Sequence, residues 1–130
     1  MNNPSSPPDL SRPEFDILRS LWVLKRASVR EVHDFLVEET AWAYTTTKTV
    51  MDRMTTKGLL ERKSLHGVAV YEPRVSKAAG MAKWVNFFAS RVLERDVSLV
   101  LNLIKDSGTI SKAEMKELER LVNDIPAEKE

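Results

Sequence analysis

The residues whose types and spacing could do chemistry crowd one stretch, Tyr44 to Lys57, which carries Thr45, Thr46, Thr47, Lys48, Thr49 and Arg53. A threonine hydroxyl suits a base edge and its methyl suits the thymine methyl; lysine and arginine reach phosphates or guanine O6 and N7. On a helix, successive residues turn by about 100°, so Thr47, Val50, Met51 and Met54 share one side. Thr45, Thr46, Lys48, Thr49, Asp52 and Arg53 share the other. An ordinary solvated helix face can look the same, so the wider charge pattern matters. From Thr45 to Arg74 six basic residues face three acidic ones, a net +3. From Val75 onward nine bases meet nine acids. The modest positive excess thus falls where phosphate contacts are expected.

Other chemistry has little to work with. The chain has no cysteine, which removes disulfides, thiolate metal sites, iron–sulfur clusters and a cysteine nucleophile. Its two histidines stand apart: His33 reads as a surface helix residue beside Asp34, His66 as a loop-tip residue, and neither as a metal ligand. Carboxylates are scattered singly along helices, and no phosphate-cradling glycine motif or HExxH is present. No catalytic residue, cofactor or metal is expected, and an enzyme is the least supported class. Trp22, Trp42 and Trp84 read as core or interface anchors.

The elements that would position this face follow from capping and periodicity. Ser11-Arg12-Pro13-Glu14 is a capping box opening a helix with Phe15, Leu18, Leu21 and Trp22 inward, to about Leu24. Ser28-Val29-Arg30-Glu31 opens a second helix with Val29, Val32, Phe35 and Leu36 inward. The intervening Lys25-Arg26-Ala27 is short, so the two helices pack directly. In the third segment, the threonine run is expected to cap the helix start and Gly58 to stop it in a left-handed conformation. The period then changes. Leu59 to Lys63 and Val68 to Glu72 read as strands, Ser64-Leu65-His66-Gly67 as their hairpin loop, and Pro73 as the end of the second strand. Three helices and a hairpin, over 11–74, make a winged helix-turn-helix.

The remainder, 75–125, reads as helical. Met81, Trp84, Val85, Phe88 and Val92 form one stripe, and Val97 to Ile104 is apolar nearly all round. A third capping box, Ser111-Lys112-Ala113-Glu114, opens a last helix with Met115, Leu118, Leu121, Val122 and Ile125. About 50 residues make a marginal core, so a second copy of the chain is the expected cover for these faces. The fold class is therefore mainly α: a winged helix followed by a helical dimerisation domain. Residues 1–10 and 126–130 read as disordered tails. No apolar run approaches the ~18–20 residues that span a bilayer. The N-terminal MNNPSSPPD has neither a charged start nor an apolar stretch, so membrane insertion and a signal peptide are not expected, and the cytoplasm is the expected compartment. The 130 residues carry 20 basic and 19 acidic side chains, so the whole chain announces no polyanion partner.

WAYTTTKTVMDRMTTKGLL, Trp42 to Leu60, resembles the recognition segment of the penicillinase-repressor (BlaI/MecI) family. There a Trp precedes a threonine-rich helix start, an arginine between apolar positions and a Lys-Gly stop. LSRPEFDILRSLW and SVREVHDFL resemble that family's first two helices. SLVLNL and TISKAEMKELERLV resemble its dimerising helices, so the likeness runs from about Leu10 to Asn123. The resemblance implies a homodimeric repressor on a palindromic double-stranded DNA operator, with a link to antibiotic resistance. Carried over by position, the DNA contacts are Thr45, Thr46, Lys48, Thr49 and Arg53, with Arg62 and Lys63 on the wing. It also implies release when a membrane-bound sensor protease triggers cleavage in the dimerisation domain. The corresponding bond is Asn102–Leu103, with Leu103 standing where the family typically has Phe. A copper-sensing branch uses C-terminal cysteine pairs, which this chain lacks.

Two other readings stay open. A winged-helix protein–protein adaptor would tolerate an acidic or apolar face on the third helix, which the Thr/Lys/Arg pattern disfavours. A regulator released by a small ligand would need a pocket that sequence cannot show.

Overall fold

The structure, a computed structural model, describes residues 7–93 and 96–124. It divides into two compact units. The first, Leu10–Ser76, contains α1 (Arg12–Leu24), α2 (Val29–Thr40), α3 (Tyr44–Thr56) and the antiparallel hairpin of β1 (Leu60–Leu65) and β2 (Val68–Pro73). Both capping boxes form: Ser11 and Ser28 each accept from the backbone N–H three residues on, and Glu14 and Glu31 each reach back. Ile17, Leu18, Leu21, Val32, Leu36, Met51 and Met54 are completely buried and make the core that the helices share. Trp22 packs on this core and donates from Nε1 to the Val75 carbonyl at 2.8 Å. A two-way backbone bridge between Ala27 and Tyr71 (2.8 and 3.1 Å) pins the hairpin to the α1–α2 connection.

Two local features differ from expectation. The threonines do not cap α3. Its N-cap is Ala43, with no side-chain cap bond, and Thr47 is completely buried in the first turns. Packing against α2 outweighs capping at this helix start. The four-residue hairpin loop is also narrower: β1 runs on through Leu65, leaving His66 and Gly67 as the turn. Both have positive φ (52° and 80°), the backbone a two-residue turn needs to match strand twist. Gly58, at φ 82°, ends α3 as expected, with the Leu59 N–H returning to the Met54 carbonyl at 2.9 Å.

The second unit contains α4 (Lys77–Phe87), continued by a π-helical turn over Phe88–Val92, then α5 (Val97–Ser107) and α6 (Lys112–Asn123). Its core is Ala78, Ala82, Val85, Ala89, Val100, Leu101, Met115, Leu118, Leu121 and Val122. The expected α4 stripe is therefore mostly on the wrong side. Of that stripe Val85 is buried and Met81 half-buried, while Trp84, Phe88 and Val92 are exposed. The alanines that replace them inside let α4 approach its neighbours closely. Order also begins earlier than the expected tail of residues 1–10 allows: Pro7 is buried, Asp9 pairs with Lys83 at 3.0 Å, and Leu10 packs on the first core. Positions 1–6 and 125–130, including the rest of both expected tails and Ile125, lie outside the described residues. No described helix is long and apolar enough to cross a membrane.

Candidate nucleic-acid interface

Helix α3 presents two faces. Thr47, Met51 and Met54 are buried, while Thr45, Thr46, Lys48, Thr49, Asp52, Arg53 and Thr56 are exposed. The division expected from helical spacing is the one observed. The later threonines spend their hydroxyls on the helix itself: Thr55 donates to the Met51 carbonyl at 2.9 Å and Thr56 to that of Asp52 at 3.2 Å. On the buried side, Thr47 Oγ1 meets His33 Nδ1 at 3.2 Å, and the His33 ring meets Tyr44 edge-on at 5.7 Å. His33 is thus a half-buried brace between α2 and α3 rather than a surface residue.

Two shallow grooves flank the exposed face. One, toward α1, is lined by Ser11, Glu14, Val50, Arg53 and Lys57. The other, toward the start of α2 and the wing, is lined by Arg30, Tyr44, Lys48, Asp52, Arg62 and Tyr71. The structure therefore brings Lys48 and Arg62 to one groove and turns Arg53 to the opposite flank. Lys63 goes elsewhere. Adjacent strand residues point to opposite faces, and Lys63 pairs with Glu72 at 2.9 Å. The Glu72 hydrogen bond and charge hold the Lys63 ammonium above its ordinary pKa.

Lys48 is also paired, its Nζ donating to Asp52 Oδ2 at 2.8 Å one helical turn on. That hydrogen bond, with the Asp52 charge, raises its pKa. The other Asp52 oxygen, Oδ1, accepts from the Tyr71 hydroxyl at 3.4 Å, and Tyr71 itself is buried. Sequence reasoning passed over Arg30, whose guanidinium lies 4.3 Å from the centroid of the Tyr44 ring. Its signal was its place in the first turn of α2, inside the capping box Ser28–Glu31. Among the described residues no cluster of three or more His, Asp or Glu side chains is arranged to hold a metal ion.

Asn102 and Leu103 lie in the second unit, in the interior of α5, and both side chains are exposed.

A three-helix core with an antiparallel wing and a Thr/Lys/Arg-bearing third helix defines a winged-helix protein. The penicillinase repressor family profile matches residues 10–124, and the chain belongs to that family. It is 25% identical over 116 residues to the methicillin resistance regulatory protein MecI of Staphylococcus aureus (strain N315), covering 88% of this chain and 94% of that one. The figures for MecI of Mammaliicoccus sciuri are the same. Among solved structures, the fold is similar to the monomeric form of Bacillus licheniformis BlaI in complex with the blaP half-operator (TM-score 0.51, 24% identity). It is likewise similar to the DNA-binding domain of the repressor BlaI (TM-score 0.50, 24% identity). Each of these likenesses covers 57% of this chain and 90% of the other.

Proposed function

We propose that this protein is a homodimeric transcriptional repressor that binds a palindromic DNA operator through α3 and the wing. The carrying observation is the exposed face of α3, where Thr45, Thr46, Lys48, Thr49 and Arg53 stand clear of the core with Arg62 across the groove. Family membership and the BlaI half-operator complex support the same reading. In it, the threonines, Lys48 and Arg53 meet base edges, and Arg62 and Lys63 meet phosphates. Lys63 must first leave Glu72 to do so.

The second copy is supported by the apolar surface that the C-terminal unit leaves exposed: Phe87, Phe88 and Val92 along α4 and its π turn, with Trp84 beside them, and Leu99 and Leu103 on α5. Two recognition helices related by a two-fold axis enter successive major grooves when about 34–36 Å apart, which sets half-sites about one turn apart or a multiple of that. Tethering two reading heads raises affinity about 10²–10⁴-fold without a new contact. Release follows when a signal breaks that tether. Cleavage of the Asn102–Leu103 bond, under the control of a membrane-bound sensor protease, is the proposed route. The bond lies inside a helix, so α5 must open locally before a protease can act. The DNA-binding unit keeps its own core and stays folded, so avidity rather than the reading head is lost. In this reading the protein works in the cytoplasm.

The test is titration of the wild type and variants on specific and random duplexes at several salt concentrations. Arg53→Ala is expected to cost about 1–3 kcal/mol on the specific site if it makes a bidentate base contact. Arg62→Ala is expected to weaken all sequences alike and to lower the salt slope by about one. Unchanged affinity in both refutes the interface. Mass spectrometry of the repressor from fully derepressed cells tests the switch: an intact chain refutes cleavage.

A further inference from the structure

Lys48 and Asp52 form a donor–acceptor couple on the exposed face of α3, with Nζ and Oδ2 2.8 Å apart. The couple is set in place from behind. The second Asp52 oxygen meets the hydroxyl of the buried Tyr71, whose backbone is pinned to Ala27. A surface pair one helical turn apart contributes little to the stability of a helix, so stability alone is a weak reason for it. It also costs the recognition face one of its positive charges. A guanine–cytosine pair presents the complementary couple in the major groove, an acceptor at guanine O6 beside a donor at cytosine N4. Those two atoms are joined by an ordinary N–H···O hydrogen bond, about 2.9 Å long. The spacing of the protein couple therefore matches that of the base couple.

We infer that Lys48 and Asp52 act as one unit that reads a single G·C pair in each half-site, Lys48 donating to guanine and Asp52 accepting from the cytosine amine. This deepens, and rests on, the DNA-binding reading above. Asp52 is then a specificity-determining residue, not merely a helix ion pair. An inverted C·G pair sets the cytosine amine against the ammonium and guanine O6 against the carboxylate, which repels both. A T·A pair offers an acceptor and a donor in the right order, but the thymine methyl takes the place of guanine N7, so it ranks between the two.

The experiment is selection from a random-sequence duplex library with the full-length chain, followed by titration of every single-base variant of the selected half-site. Wild type, Asp52→Ala and Asp52→Asn are compared, with thermal melts as a check on folding. In the wild type one position is expected to prefer G·C over C·G by roughly 5- to 150-fold. Asp52→Ala is expected to flatten that position alone, while binding to random duplex becomes tighter and its salt slope steeper because Lys48 is freed for phosphate. Asp52→Asn is expected to move the preference there toward T·A, since an asparagine amide pairs with adenine N6 and N7. A new preference is something that loss of structure cannot imitate. Specific binding by the wild type with the same base preferences in both variants overturns the assignment and leaves the DNA-binding reading intact. So does a loss spread evenly over all positions. A wild-type chain that binds no duplex overturns both.

Discussion

Glu14 joins the start of α1 to the end of α3, and its replacement is expected to loosen the platform beneath the recognition helix. One carboxylate oxygen accepts from the Ser11 backbone N–H at 2.9 Å, and the other accepts from Lys57 Nζ. The residue is only 7% exposed, whereas the Lys57 side chain is 58% exposed. A charge-assisted hydrogen bond contributes about 1.5–3 kcal/mol when both groups are desolvated. An exposed ammonium loses most of that to solvent screening and side-chain entropy, and exposed pairs fall to about 0.2–1 kcal/mol. With one partner buried and one exposed, we expect about 1 kcal/mol of coupling between Glu14 and Lys57. Glu14→Gln can still accept from Ser11, so it is expected to cost about that much. Glu14→Ala also loses the capping contact, about 1 kcal/mol more.

The pH dependence is a separate signature of the same contact. Burial pushes the Glu14 carboxyl up, but the Lys57 hydrogen bond and the Ser11 backbone and hydroxyl donors outweigh it, and the pKa lies below the ordinary value. The ionised form therefore contributes stability that is complete above the unfolded value of about 4.3 and is lost as pH falls through the folded pKa. The gap between wild type and Glu14→Gln is expected to be full at neutral pH and to close in acid. The assay is a double-mutant cycle of Glu14→Gln and Lys57→Met by urea unfolding, repeated across pH. Coupling indistinguishable from zero, or a gap that persists unchanged in strong acid, refutes the reasoning.

Gly67→Ala is expected to destabilise the wing by about 1–2 kcal/mol, measured by thermal unfolding. Its φ of 80° is strained for any side chain, although no atom lies within 4 Å of where a Cβ would stand. Thr47→Val is expected to cost about 1–2 kcal/mol in chemical denaturation, because it strips His33 Nδ1 of its partner. Leu103→Glu and Trp84→Lys each place a charge on the exposed apolar face, where the native side chains are 57% and 44% exposed. Burying a large apolar side chain yields about 1.5–3 kcal/mol, so each is expected to weaken self-association about 10- to 100-fold in sedimentation experiments. An unchanged dimer refutes that face as the interface.

What the residues determined by themselves was local. A capping box needs only four residues, and Ser11–Glu14, Ser28–Glu31 and Ser111–Glu114 each start a helix where their spacing says they should. Gly58 stops α3 for an equally local reason, its tolerance of positive φ. The two faces of α3 also follow from period alone, because one side must meet the α1–α2 core. The penicillinase-repressor resemblance was legible for the same reason: it resides in contiguous strings.

Tertiary structure decided whatever depends on partners distant in the chain. Periodicity places Trp84, Phe88 and Val92 on one stripe of α4 and its π-helical continuation, but it cannot say whether a neighbour covers them. Close approach selected the small side chains of Ala78, Ala82 and Ala89 for the interior and left the aromatics outside. The same holds for charge. Sequence counts Lys48 and Lys63 as free cations, whereas packing sets Lys48 against an Asp52 steadied by Tyr71, and the strand pairing brings Glu72 within reach of Lys63. Net charge sums over residues, but a cation's availability to DNA depends on the carboxylate nearest to it, and only the folded chain sets that distance.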